Sequence, residues 1–264
     1  MKNVVLSNED FQDFPIGEFP YDKDHTAMGE YQYVVENGYH GNWVDMVCNY
    51  TYNGTGPTWL ITERDGRHFM ESMRIEKNRP HRMFPTLETG KHQWKDYEVS
   101  VSVRRLSQKG MAGLVFSMNH SIDTLVFYLD GKDKAAVAYR HKEEVQVLKE
   151  VSFPHGCDQE YCLKVDCDGR IAKVYVDDQE LFRVEDDLVA RGGKVGITAD
   201  CPSRFADFKV CVSEKTKQEI DVAERAVKET ETEEMKKHPK MKLWKKIDLK
   251  NFGTSRQIRF GHLT

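Results

Sequence analysis

The alternation of apolar and polar residues between positions 94 and 212 constrains the fold of this chain more than any other feature. The run DYEVSVSVRR, residues 96–105, places a tyrosine and three valines on one face of a strand and polar side chains on the other. Nine further short runs follow, separated by turn signals such as Asp-Gly-Lys and Arg-Gly-Gly. Each strand offers one apolar face, so two antiparallel sheets must pack face to face. The predicted core includes Val101, Leu114, Phe127, Val176 and Phe208.

Composition divides the chain into four parts. Residues 1–93 alternate weakly and are rich in Gly, Asn, Tyr, Pro and Trp, so we predict amino-terminal strands and capping loops of the sandwich. Residues 94–212 form the predicted core of the β-sandwich. Residues 213–239 are charged, with a serine at their start and a proline at their end, which predicts a charged helical linker. Residues 240–264 hold two strand-like runs around a glycine and are predicted to begin a further domain.

Charge and hydropathy exclude two classes of partner. The net charge of −4 and the pI of about 6.2 give no basic surface for a nucleic acid. The mean hydropathy is −0.66, and no apolar run reaches the length of a membrane span. The amino terminus lacks the apolar segment of a signal peptide, so we predict a cytoplasmic location. The six cysteines are then predicted to be reduced thiols.

Several runs of the predicted core, taken in order, resemble the concanavalin A-like, laminin-G-like jelly-roll domains. These runs are a strand with small residues (GMAGLVFSMN), a tyrosine-containing strand (TLVFYLDG), a V-Y-V-D hairpin, the run GGKVGI and a closing FADFKV. The resemblance implies an all-β, two-sheet antiparallel jelly-roll sandwich with a carboxyl-terminal helical linker. It implies little about the ligand, because this fold carries lectins, binding modules and hydrolases.

The last stretch, KLWKKIDLKNFGTSRQIRFGHLT at residues 242–264, has a second resemblance. It is similar to the lead-in to the first blade of the β-propeller in rhamnogalacturonan lyase-like polysaccharide lyases. In that family a run of the type R-Q-x-R-F-G-x-L precedes an acidic, calcium-binding G-D-G loop, which this sequence lacks. An apolar strand without a partner also indicates that more chain should follow. The resemblance implies that the chain is the amino-terminal part of a larger enzyme, whose remainder is its partner.

Motifs for catalysis are weak. The sequence has no nucleophile elbow, HExxH motif, phosphate-binding loop or dinucleotide fingerprint. The central strands lack the two carboxylates that a jelly-roll glycoside hydrolase needs. We therefore leave catalytic residues unassigned and predict a carbohydrate-binding or accessory module of a lyase that degrades pectin or rhamnogalacturonan-type plant polysaccharides. The alternatives are a jelly-roll glycoside hydrolase with an unrecognised carboxylate pair and a purely structural domain.

Sugar binding needs an aromatic surface for the ring and polar side chains for its hydroxyls. Arginines and histidines crowd residues 64–82 and suit a uronate, because Arg binds a carboxylate through two hydrogen bonds. The alternative is a solvated loop in which these arginines pair with neighbouring acids. The candidate carbohydrate-binding residues are Trp59, Arg64, His68, Arg79, His81, Asn119, His120, Tyr128, Arg140 and His141.

A structural calcium ion, Ca2+, is the predicted cofactor. In the resembling domains an aspartate in the last strand helps to hold calcium together with oxygen ligands from the first strand. Asp207 in FADFKV occupies that place here, and Asp10 is the candidate partner near the first strand. The alternative is an ordinary surface carboxylate, because the sequence has no compact D-x-D-x-D-G loop.

Overall fold

The computed structural model describes residues 2–18, 43–45, 59–73, 85–120, 122–142 and 144–237. Within these residues the chain forms sixteen strands and two helices. They are β1 (Val4–Glu9), β2 (Gly17–Glu18), β3 (Val44–Asp45), β4 (Trp59–Arg64), β5 (Arg67–Ser72), β6 (Thr86–Thr89), β7 (Glu98–Arg105), β8 (Met111–His120), β9 (Asp123–Asp130), β10 (Lys134–His141), β11 (Glu144–Ser152), β12 (Glu160–Asp168), β13 (Ile171–Val176), β14 (Gln179–Glu185), α1 (Asp187–Arg191), β15 (Lys194–Ala199), β16 (Ser203–Val212) and α2 (Glu214–Lys237).

The strands form two antiparallel sheets. The nine-stranded sheet has the order β14-β13-β12-β7-β16-β5-β4-β2, and β1 pairs with β16 beside this path. The seven-stranded sheet has the order β11-β10-β9-β8-β15-β6-β3. Neighbouring strands within each sheet often come from distant parts of the chain, which is the topology of a jelly roll. The predicted fold class, a two-sheet jelly-roll sandwich followed by a helix, is confirmed.

The period-two pattern places the core as expected. Along β7 the buried and half-buried residues alternate strictly, because three valines and the buried Arg105 lie on one face and Glu98, two serines and Arg104 on the other. All five predicted core residues are fully or almost fully buried. All five belong to one hydrophobic cluster, to which both sheets contribute. Phe208 belongs to it although the register of its strand, β16, shifts against β7 between Ala206 and Lys209.

The central strands of the seven-stranded sheet depart from the one-sided pattern. Met111, Val115, Met118 and Val126 form a second buried cluster, and Tyr128 packs against it. Register places these side chains on the face of the sheet that is turned away from the main core. Both faces of β8 are therefore removed from solvent, which explains why its sequence MAGLVFSM is apolar almost throughout.

Strands from the amino-terminal part are built into both sheets. β5 lies between β16 and β4, and β6 lies between β15 and β3. Both are therefore interior strands of their sheets. The predicted start of a further domain, residues 240–264, lies outside the described residues.

The predicted linker is helical, and its first half docks on the sandwich. The Ser213 hydroxyl accepts a hydrogen bond from the backbone N–H of Thr216, which caps the start of α2 as expected. Ile220 is 1% exposed and packs into the main core. An ion pair joins Lys95 to Glu219 on the same side of the helix. Within the described residues no helix is long and apolar enough to cross a membrane.

Candidate functional site

The structure divides the predicted binding residues between two sheets. Arg64 and His68 lie on the nine-stranded sheet, where the Nδ1 of His68 is 3.2 Å from the carbonyl oxygen of Phe11. Arg79 and His81 lie outside the described residues. The other candidates, apart from Trp59, belong to the seven-stranded sheet: Asn119, His120, Tyr128, Arg140 and His141.

Trp59 is a core residue and offers no surface to a sugar ring. Its side chain is fully buried, and its ring centroid is 6.0 Å from that of Phe205. Trp43 and Trp94 are buried as well. The expectation of an exposed tryptophan platform at Trp59 is therefore wrong. The run TWLITER contains a buried strand, whose first residue points into the sandwich.

The outer face of the nine-stranded sheet is a network of ion pairs. Arg67 contacts Glu160 at 3.0 Å and also pairs with Asp207, whose carboxylate accepts a 3.1 Å hydrogen bond from Ser102. Arg104 lies 3.8 Å from Glu160. These groups are a third to a half exposed, so they form a solvated, mutually neutralising surface.

The polar side chains of the seven-stranded sheet gather where β8, β9 and β10 end on one side. His120 is opposite Asp123 across β8 and β9, and His141 is opposite Asp123 across β9 and β10. We call this group the polar end, and its residues are Asn119, His120, Asp123, Tyr139, His141 and Arg191.

A β-bulge positions the end of β8. The register slips between Phe116 and His120, and Ser117 has a positive φ of 48°. Two contacts hold this irregular backbone: the Ser117 N–H donates to the Tyr97 hydroxyl at 2.7 Å, and Arg191 donates to the Ser117 carbonyl at 2.6 Å. Beyond the bulge Met118 is still buried, and Asn119 and His120, the last two residues of the strand, are exposed.

The centre of the polar end is the ion pair between Asp123 and Arg191. The Nη1 of Arg191 is 2.8 Å from one carboxylate oxygen of Asp123 and 2.9 Å from the other. The side chain of Asp123 is only 12% exposed. Burial alone would raise the pKa of Asp123, but the hydrogen bonds from Arg191, Asn119 and Tyr139 outweigh it and lower the pKa. Asp123 is therefore held as a carboxylate.

Two side chains extend this centre towards solvent. The Nδ2 of Asn119 donates to Oδ2 of Asp123 at 3.1 Å, and the Tyr139 hydroxyl is 2.9 Å from Oδ1. The same hydroxyl lies 3.0 Å from Nδ1 of His141. Asn119 and His141 are exposed, so the buried carboxylate of Asp123 orients two polar side chains at the surface, His141 through Tyr139.

A second ion pair lies at the same end of the sheet. Lys194 at the start of β15 contacts Glu88 of β6, and the Glu88 side chain is 3% exposed. The pKa of the nearby His92 is lowered, first by burial and then by the positive charge of Lys194. His120 also acts on His92 electrostatically, so this pair borders the polar end.

Tyr128 and Arg140 lie on the sheet face that carries the second apolar cluster. Tyr128 is half-buried against that cluster, and Arg140 is 2% exposed. Burial lowers the pKa of Arg140 to about 10. Their polar atoms therefore approach solvent much less than those of Asn119 and His141.

Asp123 and Arg191 are the residues that sequence reasoning missed. Arg191 ends α1 and is followed by Gly192 and Gly193, and the sequence Arg-Gly-Gly predicts only a turn. A Cβ on Gly192 would lie 2.3 Å from the carbonyl oxygen of Trp94, so this close approach requires glycine. The tight turn carries the Arg191 guanidinium to the end of the seven-stranded sheet. A basic residue directly before such a glycine pair was the available signal.

The arrangement provides hydrogen-bonding groups rather than a reactive pair. Asp123, the buried carboxylate of the polar end, has both oxygens bound by cationic or neutral donors. Glycoside hydrolysis needs two carboxylates that face one cleft, one of them able to give up a proton. The polar end is therefore suited to holding a polar ligand.

The calcium prediction for Asp207 and Asp10 stays a prediction. Asp207 is bound to Arg67 and Ser102, and Asp10 accepts a 3.0 Å hydrogen bond from the backbone N–H of Gln12. Within the part of the chain that the structure describes, no three His, Cys, Asp or Glu side chains cluster as a metal site would require. Calcium prefers six to eight oxygen ligands, and this arrangement does not fit that preference.

Comparison with known proteins bears on the fold. No protein-family model matches the sequence, and no curated protein matches it. A carbohydrate binding module, CBM66 from Bacillus subtilis, is 17% identical and has a TM-score of 0.50, over 65% of this chain and 96% of that structure.

Two further solved structures are similar over more of the chain. A protein of unknown function with a galectin-like fold from Bacillus subtilis is 11% identical with a TM-score of 0.52, over 81% of this chain and 99% of that one. A variant of LamA from Z. galactanivorans, in complex with laminaritriose and laminaritetraose, is 9% identical with a TM-score of 0.51, over 80% and 100%. At these identities the likeness concerns the jelly-roll fold, which the predicted concanavalin A-like architecture shares.

Proposed function

We propose that this chain is a carbohydrate-binding module, which holds an oligosaccharide at the polar end of its seven-stranded sheet. The observation that carries the proposal is the exposed pair Asn119 and His141, oriented from below by the ion pair of Asp123 and Arg191. Sugars are bound through hydroxyl groups, and binding is strongest where protein donors and acceptors are fixed in advance.

The cost of the ion pair supports a binding role. Removing a carboxylate from water costs free energy, and the Asp123 side chain is 12% exposed while that of its partner Arg191 is 30% exposed. A buried carboxylate at the end of a sandwich is therefore better explained by what it orients than by stability alone. Here it orients an amide and, through Tyr139, an imidazole.

The similar structures support the proposal at the level of the fold. The Bacillus subtilis module is a carbohydrate binding module by its description, and the LamA variant is described in complex with two laminari-oligosaccharides. Jelly-roll sandwiches also carry other functions, so the argument rests on the polar end and the fold adds to it.

The wider role that we propose is an accessory module of a lyase acting on pectin or rhamnogalacturonan-type polysaccharides. Its support is the sequence resemblance of residues 242–264 to the lead-in of a lyase propeller. A jelly-roll glycoside hydrolase has less support, because the carboxylate of Asp123 is fully engaged. If no oligosaccharide binds, the alternative that remains is a purely structural domain.

Calorimetric titration of the chain with rhamnogalacturonan oligosaccharides and with laminaritetraose tests the proposal. We expect binding of at least one of them, and the double variant Asn119→Ala, His141→Ala should weaken it by about tenfold or more, as expected for the loss of two hydrogen bonds. Both side chains are exposed, so the variant should fold. The control is Lys132→Ala, an exposed residue in the turn at the opposite end of the same sheet. Binding that the double variant leaves unchanged, or no binding, would contradict the proposal.

A further inference from the structure

The buried carboxylate of Asp123 dictates the direction of the hydrogen bonds around it. An ionised carboxylate only accepts hydrogen bonds. Every side chain that contacts it must therefore turn a donor towards it, and Arg191, Asn119 and Tyr139 do so. Because their donors are turned towards Asp123, this requirement also determines which hydrogen-bonding atoms these side chains leave for other partners.

Asn119 presents its carbonyl oxygen outward. Its Nδ2 is committed to Asp123, which leaves Oδ1 and one remaining N–H for other partners. Within the described residues no hydrogen bond to the Oδ1 of Asn119 is present. The exposed end of the side chain therefore offers a hydrogen-bond acceptor.

The direction of the hydrogen bond from Tyr139 to Asp123 determines which nitrogen of His141 carries a proton. A hydrogen bond to a carboxylate is stronger than one to a neutral imidazole, so the Tyr139 proton points at Asp123. Burial raises the pKa of Tyr139, and the bond to Asp123 raises it further, so the hydroxyl keeps its proton. The hydroxyl oxygen then accepts from His141, and this bond places a proton on Nδ1 of the imidazole. A neutral His141 consequently has an unprotonated Nε2, which is an acceptor.

The charged residues beside His141 do not change this assignment, in which Nδ1 is the donor and Nε2 the acceptor. Lys142 follows it in the turn, and Glu144 is opposite it across β10 and β11, so one charge of each sign flanks the imidazole. The guanidinium of Arg191 donates inward to Asp123 and to the carbonyl oxygen of Ser117. It also interacts with the Tyr139 hydroxyl, whose oxygen has a second lone pair for His141.

We propose that the polar end recognises a pair of hydroxyl groups on a neutral sugar ring, which donate to Oδ1 of Asn119 and Nε2 of His141. The proposal rests on the proposed carbohydrate-binding function and narrows its ligand class. A uronate carboxylate cannot donate to either atom, so these two acceptors favour a hydroxyl over it. The uronate preference that the arginine-rich segment around Arg64 and Arg79 indicates would then have to arise elsewhere.

The tautomer of His141 is a test that needs no ligand. Nitrogen NMR of the full chain at about pH 8, where a typical imidazole is neutral, distinguishes a protonated Nδ1 from a protonated Nε2. We expect Nδ1 of His141 to carry the proton, and Tyr139→Phe to abolish this preference because the accepting oxygen is gone. A proton on Nε2 in the unmodified chain would overturn the proposal.

The ligand class is tested with one oligosaccharide in two forms. A rhamnogalacturonan oligosaccharide is titrated before and after chemical reduction of its carboxyl groups, which turns each uronate into a neutral sugar. We expect the reduced form to bind about tenfold more tightly, the usual effect of pairing otherwise unsatisfied polar groups. Equal binding, or tighter binding of the acidic form, would overturn the proposal.

Two substitutions of one exposed residue sharpen this test. His141→Gln keeps an acceptor and should retain the preference for the reduced form. His141→Lys replaces the acceptor by a cationic donor and should move the preference towards the acidic form. A Lys132→Gln control at the opposite end of the sheet should leave both affinities unchanged. A preference that His141→Lys does not alter would mean that His141 does not contact the ligand.

The outcomes separate the two proposals. Binding with an acidic preference leaves the carbohydrate-binding function standing and overturns the neutral ligand. Lack of binding of either form overturns the function, and the neutral ligand falls with it, whatever tautomer His141 adopts.

Discussion

The Nη1 of Arg191 lies 2.8 and 2.9 Å from the two carboxylate oxygens of Asp123, a residue 68 positions earlier in the chain. This contact joins the short helix α1 to the hairpin of β8 and β9 at one end of the sandwich. It also fixes the direction of the hydrogen bonds made by Asn119 and Tyr139. Stability and ligand binding should therefore both depend on this ion pair.

Arg191→Ala should lower the free energy of unfolding by about 1–3 kcal/mol, because it leaves Asp123 buried without its cation and removes a donor from the Ser117 carbonyl. The control is Arg170→Ala, which removes an exposed pair with Asp187 and should cost about 0–1 kcal/mol. Urea unfolding of both variants measures the difference. Equal losses would contradict the role of Arg191 as the cation that neutralises the buried carboxylate of Asp123.

The same ion pair should make the free energy of unfolding depend on pH in the acidic range. The fold lowers the pKa of Asp123, so its contribution is present above about pH 4, where a free aspartate ionises, and is lost as the pH falls through the folded value. Arg191→Ala removes the main group that lowers this pKa. The variant should therefore lose less stability than the unmodified chain in that acidic range.

His155 should make the fold less stable at mildly acidic pH. Burial lowers its pKa, and a partly opposing hydrogen bond joins Nδ1 to the Phe153 carbonyl at 2.7 Å. Since the unfolded chain binds a proton at about pH 6.5, stability should fall as the pH decreases from there towards the lower folded pKa. Unfolding of the unmodified chain and of His155→Phe at about pH 7.5 and 5.5 measures the effect. The same pH dependence in both proteins would contradict it.

Calcium binding by Asp207 and Asp10 remains a proposal with a simple test. It predicts that a chelator lowers the melting temperature and that Asp207→Ala abolishes this response, since a ligand of the native state stabilises by mass action. Calcium binding would require Asp207 to exchange its contacts with Arg67 and Ser102 for the ion. An unchanged melting temperature would remove calcium from the account.

The proposed accessory role predicts that this chain forms no unsaturated uronate from rhamnogalacturonan. The polar end has no carboxylate with a free oxygen to remove a proton, since Asp123 is fully bound. Absorbance of the unsaturated product, followed at several protein concentrations, measures the activity. A rate that rises with the concentration of the chain would contradict the binding-module proposal.

Periodicity predicted the fold because strand alternation is a local property. The valines of β7 and the five predicted core residues are buried for the reason that the pattern gives. The pattern failed where tertiary structure covers a second face. β8 is buried on both sides, and Trp59 points into the core instead of outward.

The candidate site was predicted only in part, because it depends on contacts between distant residues. Asn119 and His141 are among the candidate carbohydrate-binding residues of the sequence, and the structure brings them together. The pairing of Asp123 with Arg191 depends on how α1 crosses the end of the sandwich, which no local pattern encodes. Arg64 and His68, close to each other in sequence, lie on the other sheet.

The central claim is that a sugar binds at the polar end of the seven-stranded sheet. Backbone amide NMR of the chain during titration with a carboxyl-reduced rhamnogalacturonan oligosaccharide locates the ligand directly. The account predicts that the signals of Asn119, His120, Asp123, His141 and Arg191 shift in a saturable way, and that Asn119→Ala with His141→Ala suppresses the shifts. Saturable shifts confined to the ion-pair network around Arg67 and Glu160, or no shifts at any ligand concentration, would contradict it.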